Sequence, residues 1–194
     1  MKKVAVLFHD GFEEVEALSV VDIMRRANVE CTMVGMDKLE VTSSHQIKIK
    51  MDQIYDGLDN YDAVVIPGGM PGASNLRDDS RVIDLVKQFN HDGKIIGAIC
   101  AGPIVLQEAD VIKGKTVTCY PGFEEQLIGS NYQETLVQRD ENIITGKGPA
   151  AALAFGYTLL EALGCDSSVI KEGMQYTYCL LYTSDAADEL DGVD

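Results

Sequence analysis

The segment KVAVLFHDGFEEVEALSVVDIMRRA, residues 3–27, changes its period part-way. Residues 3–8 form an almost unbroken apolar run, the pattern of a strand buried on both faces. After Glu13 the apolar residues recur at helical spacing, which predicts a helix with Val15, Leu18, Val21 and Met24 along one side. A buried strand feeding a helix is the repeating unit of a parallel α/β sheet.

The same alternation continues outward. ECTMVGM (30–36) reads as a strand, and VTSSHQIKIKMD (41–52) as a polar turn followed by an alternating strand. DAVVIPGG (62–69) reads as a strand entering a glycine loop, and SRVIDLVKQFNHDG as a helix stopped by Gly93. KIIGAIC (94–100) is the next strand, and AGPIVLQEA opens a helix. KTVTCYP, ETLVQRDE and NIITG read as further strands, and residues 148–164 as a small-residue helix ending at Gly164. The predicted fold is an α/β three-layer sandwich, a mostly parallel sheet with helices on both faces. No long linker or repeat interrupts residues 1–178, which predicts one domain. Residues 179–194, CLLYTSDAADELDGVD, break the rhythm and carry five acids and no base. They read as a non-native tail resembling translated sequencing adapter, or else as a disordered acidic tail.

Composition excludes several classes of function. The net charge of -15 repels phosphates and anionic membranes, so no nucleic acid or membrane partner is expected. No apolar run is long enough to span a bilayer, and the short N-terminal run is followed by acids, so a cytoplasmic protein is expected. The five cysteines, 31, 100, 119, 165 and 179, show neither a disulfide framework nor zinc-ligand spacing.

In such a sheet, chemistry collects beyond the carboxyl ends of the strands. Three ends couple a strand to small or acidic residues: LFHDGFEEVE, IPGGMPGA and AICAGP. Cys100 sits between small neighbours at a strand-to-helix junction, as a nucleophile elbow requires. The helix start beyond it would favour thiolate. Spacing alone leaves Cys100 open between a nucleophile and a buried structural thiol. The PGGMPGA loop offers backbone N–H donors for an oxyanion, or is an ordinary turn. Glu13 and Glu14 suit a first helical turn. Glu16 differs, because it shares a row with Val20, Ile23 and Ala27, so it is either an edge residue or a buried acid with a raised pKa. His9, at the end of the first strand, could reach the same place.

The ordered set GFEEVEA, VDIMRRA, IPGGMPGA, GAICAGP and TGKGPA, spread over residues 3–160, resembles the ThiJ/PfpI superfamily in its DJ-one branch. The resemblance implies a flavodoxin-like sandwich, usually a homodimer, without metal or organic cofactor. It implies that Cys100 is the nucleophile, Glu16 its protonated partner and general acid/base, and Gly69 and Ala101 the oxyanion hole. Arg26 would line the pocket near the dimer interface. The implied activity is a glyoxalase or deglycase acting on a small-molecule 2-oxoaldehyde such as methylglyoxal; the alternative is a redox-sensing stress protein or chaperone. Two positions depart from the pattern. Ala101 stands where PfpI-like proteases carry a histidine after the nucleophile, which removes a protease base. Tyr120 stands where the DJ-one protein carries a histidine before a proline, which removes a polar partner and leaves His9 as a substitute proton carrier.

Overall fold

The computed structural model describes residues 1–176, so the tail predicted at 179–194 lies outside the described residues. In chain order the first half comprises β1 (Lys3–Phe8), α1 (Glu14–Arg26), β2 (Glu30–Gly35), β3 (Glu40–Thr42), β4 (Lys48–Lys50), β5 (Gln53–Ile54) and β6 (Ala63–Ile66). It continues through α2 (Gly72–Arg77), α3 (Ser80–His91), β7 (Ile95–Ile99), α4 (Pro103–Glu108) and β8 (Thr116–Val117). The last elements are β9 (Asn131–Tyr132), β10 (Val137–Asp140), β11 (Ile143–Gly146), α5 (Ala152–Ala162) and α6 (Ser168–Gly173).

Seven strands form one sheet in the order β10-β11-β7-β6-β1-β2-β5, parallel throughout except for the antiparallel β10–β11 edge. The period-2 geometry of β1 sorts its side chains between two cores. Val4, Val6 and Phe8 join the cluster containing α1 and α5, whereas Ala5 and Leu7 join the cluster containing α2, α3 and α4. Helices therefore cover both faces, and the predicted flavodoxin-like α/β class holds. Among the described residues, no helix is long and apolar enough to cross a membrane.

Local departures from the sequence reading have simple causes. The buried stripe of α1 is Glu16, Ala17, Val20, Val21, Ile23 and Met24, while Val15 is half-exposed. A strict three-residue row winds around a helix of 3.6 residues per turn, so its first member drifts off the buried side. Residues 41–52 form an antiparallel hairpin, β3–β4, outside the main sheet. KTVTCYP contributes only β8, which pairs with β9 in a separate parallel ribbon. The predicted helix over 148–164 begins with a 3₁₀ turn at Pro149–Ala151.

The strand order places the site. β2 lies on one side of β1 and β6 on the other, so the chain reverses its direction of travel across the sheet at β1. Such a switch point leaves a crevice beyond the strand ends. The ends of the adjacent strands β1, β6 and β7 lead into the loops that carry Glu13, Gly68 and Cys100.

Candidate active site

Cys100 follows β7 with φ +64, a left-handed backbone that few non-glycine residues adopt. Neighbouring backbone holds it there. Cys100 N–H donates to Gly146 O at 2.9 Å, and Cys100 O accepts from Tyr120 N–H at 3.0 Å. The turn directs the backbone N–H groups of Ala101 and Gly69 toward the Cys100 sulfur. The thiol is largely buried, with 9% of the residue exposed.

Two adjacent glycines shape the opposite wall. Gly69 has φ +84, and a Cβ there would fall 2.4 Å from Glu13 N. A Cβ at Gly68 would fall 2.6 Å from Cys100 Cβ and 2.7 Å from Glu16 Oε2. Only a residue without a side chain lets this loop lie between the thiol and the carboxyl.

Glu16 is fully buried on α1. It occupies the third helical position, where a glutamate commonly reaches back to the N-cap N–H to close a capping box. Here the box is half closed. Glu13, the N-cap, accepts the Glu16 N–H at 2.7 Å, but the Glu13 N–H donates to Gly68 O at 2.9 Å. Glu16 Oε2 instead accepts the Gly68 N–H at 2.8 Å, while Oε1 has no hydrogen-bond partner among the described residues. Cys100 lies beside this carboxyl across Gly68, and the two groups shift each other's titration.

Burial pushes the Glu16 carboxyl up to about 7, against the Cys100 and Gly68 hydrogen bonds. The Cys100 thiol is pushed up as well, first by burial and then by the Glu16 charge and hydrogen bond, while the Ala101 and Gly69 N–H groups pull it down. The simple helix-start expectation of a lowered thiol pKa therefore gives way to burial and to Glu16. Both Glu16 contributions require an ionised carboxyl. With the proton on Glu16, the carboxyl donates to sulfur and thiolate is favoured, so the pair titrates as a unit.

The remaining candidates lie elsewhere. His9 Nδ1 accepts from Asn75 Nδ2 at 2.9 Å, and Nε2 lies 3.5 Å from Asp37, so both ring nitrogens have partners away from Cys100. Asn75 on α2 and Asp37 beyond β2 thus engage the His9 ring, and no hydrogen bond joins it to Cys100 among the described residues. Arg26 donates to Asp22 at 2.7 Å on the exposed side of α1. It lies ten residues from Glu16, roughly 15 Å along the helix, so within one chain it does not line the Cys100 pocket. The Tyr120 amide clamps the elbow, while its half-exposed ring lines a groove of about 240 Å³ with Pro121, Leu136, Gly148 and Pro149. Glu13, Glu14 and His45 each bring one oxygen or nitrogen within 4.8 Å of the others. Glu13 accepts the Glu16 N–H and Glu14 pairs with His45 at 2.8 Å, while Glu14 Oε2 is buried without a hydrogen-bond partner among the described residues.

The profile of the DJ-1/PfpI family covers residues 2–162. The chain belongs to the DJ-1/PfpI family. It is 35% identical over 169 residues to the Parkinson disease protein 7 homolog of Danio rerio, covering 84% of this chain and 89% of that one. It is 36% identical over 167 residues to YraA of Bacillus subtilis, a relative provisionally named a cysteine protease, covering 84% and 98%. A solved structure of Toxoplasma gondii DJ-1, described as oxidized, superposes with a TM-score of 0.81 at 33% identity, covering 93% of this chain and 98% of that one. Sequence reading of this DJ-1/PfpI chain missed Gly68 and Glu13. The Gly-Gly pair signalled a close approach without saying which glycine faces the thiol, and Glu13 had the appearance of an ordinary first-turn acid.

Proposed function

We propose that this DJ-1/PfpI chain is a cofactor-free, Cys100-dependent glyoxalase or deglycase acting on methylglyoxal-type 2-oxoaldehydes or their adducts. The observation that carries the proposal is a left-handed Cys100 facing two backbone N–H groups and a buried carboxyl pushed up to about 7. Cys100 is the proposed nucleophile and Glu16 the proposed acid/base, with Ala101 and Gly69 as the oxyanion hole.

The Cys100 thiolate attacks the aldehyde carbon, forming a C–S bond, and the carbonyl electron pair moves to oxygen. The Ala101 and Gly69 N–H groups hold that oxyanion. Glu16 gives it a proton and becomes the base that removes the hydrogen from the same carbon. The resulting enediolate accepts that proton at the neighbouring carbon, while the hydroxyl proton on the first oxygen passes to the second. This internal transfer oxidises one carbon and reduces the next, leaving a thioester of the 2-hydroxy acid. Water cleaves the C–S bond, releasing the acid and restoring the thiol.

The test is conversion of methylglyoxal to lactate by the full chain beside Cys100→Ser. Wild-type turnover no higher than that of the variant overturns the proposal. A protease reading is less well supported, since Ala101 follows Cys100 and the three histidines have other settings: His9 and His45 are hydrogen-bonded elsewhere and His91 is exposed at the end of α3.

A second reading rests on the same donors. If the Cys100 thiolate takes one oxygen from each of two peroxide molecules, the sulfinate product meets two N–H groups and a carboxyl that can donate. Mass spectrometry after mild peroxide, showing no sulfinate at Cys100, removes this reading. The proposed assembly is a homodimer, for which light scattering in solution is the check. Exposed Val15 and Ile47 are apolar groups that such an interface would cover.

A further inference from the structure

We infer that Glu13 is a positioning residue for the Cys100–Glu16 pair, and that its carboxylate keeps the shared proton on Glu16 rather than on sulfur. The inference rests on the proposed pairing and extends it to a residue outside the reacting set.

Three hydrogen bonds close a ring around the pair. Glu13 Oε2 accepts from Glu16 N at 2.7 Å, Glu13 N donates to Gly68 O at 2.9 Å, and Gly68 N donates to Glu16 Oε2 at 2.8 Å. The identity of the cap is the unexpected part. Serine, threonine, aspartate and asparagine are the effective N-caps, and glutamate is not among them. A glutamate in this position is also only 8% exposed, although a shorter side chain would cap α1 without burying a charge.

The two buried carboxyls have different surroundings. Glu13 accepts a backbone N–H at the start of α1, where the aligned peptide dipoles favour a negative charge. Glu16 is fully buried, with one N–H donor and the Cys100 thiol beside it. Neighbouring carboxyls placed in unlike environments divide into an ionised member and a protonated one. Glu13 is the member with backbone and helix-start support, and its field opposes a charge on Glu16. The groups facing the ring are Cys100 from the β7–α4 turn, and Glu14 and His45 on the outer side of Glu13.

The experiment is the pH profile of Cys100 alkylation by iodoacetamide, read by peptide mass spectrometry on the full chain without substrate. Glu13→Ser keeps a cap and removes the charge, whereas Glu13→Asp keeps both. Each is repeated with His45→Asn, so that imidazole titration is not read as that of Glu16. In Glu13→Ser the first ionisation of the pair is expected to move down by about half to one pH unit. Alkylation near pH 7 is expected to slow severalfold, because the proton leaves Glu16 and stays on sulfur. Glu13→Asp restores the wild-type profile. A Glu13→Ser profile superimposed on wild type overturns the inference, since a purely structural cap would give that result. If Glu16→Gln also superimposes on wild type, the Cys100–Glu16 pairing itself fails; if only Glu13→Ser does, the pairing stands and the role of Glu13 falls.

Discussion

Cys31 and Cys100 belong to the same apolar cluster and are similarly buried, at 7% and 9% exposed. Cys31 lies within β2, and burial pushes its thiol up to about 12. Cys100 lies one residue beyond β7 in a left-handed turn, with two N–H donors and a carboxyl directed at its sulfur. Burial pushes both thiols up, so the shift alone does not distinguish them. The turn, together with a proton that can reside on a neighbour, is what separates the two.

The largest effect expected from breaking this contrast follows Cys100→Ala. Methylglyoxal turnover should fall to the level of buffer, whereas Cys31→Ala should stay within about twofold of wild type because that thiol meets no reacting group. Next comes Glu16→Gln, which removes the proposed acid/base and should lower kcat by about 10²–10⁴ with the fold intact by circular dichroism.

Glu16 also writes the contrast into stability. Its folded pKa of about 7 exceeds the ordinary value of 4.5, so between those values the folded state holds a proton that the unfolded state has released. Stability is therefore lost as pH rises from 4.5 to about 7 and levels off above that. The loss amounts to about 3 kcal/mol. Denaturant unfolding at pH 5 and pH 8 should show this loss in wild type and not in Glu16→Gln.

Smaller still is the effect of Gly68→Ala. A methyl group 2.6 Å from Cys100 Cβ must move the loop or the thiol. A displacement of that kind should reduce kcat/KM by about a hundredfold. His9→Ala, whose ring is held by Asn75 and Asp37, should change turnover by less than about twofold, since it touches no reacting group. A larger loss would bring His9 back into the site.

The parts of this contrast that the sequence reveals are those written in local periodicity. The nearly continuous apolar runs of β1, β6 and β7 announce buried parallel strands, and the small residues around Cys100 announce a tight turn. Glu16 declares itself by interrupting an apolar row. What stays hidden depends on how separate segments meet. Gly68 and Gly69 are equivalent as letters, and only the crossing of the β6 loop over the α1 N-terminus assigns one to each neighbour. The ring of His9 could face either side of β1 until Asn75 and Asp37 take its nitrogens. Val15 fits a three-residue row, but the helix meets α5 along a different stripe. The same limit applies to Glu13, whose partners Gly68 and Glu16 come together only once β6 lies beside β1.

The clamp on Cys100 has a thermodynamic consequence. A left-handed non-glycine residue costs about 1–3 kcal/mol, and Gly146 and Tyr120 hold it there through hydrogen bonds already present in the resting protein. The cost is met once, when the chain folds, and not at each encounter with substrate. In the proposed reaction, sulfur, donors and carboxyl would need little reorganisation as charge develops, so part of the free energy of folding would serve to lower the barrier.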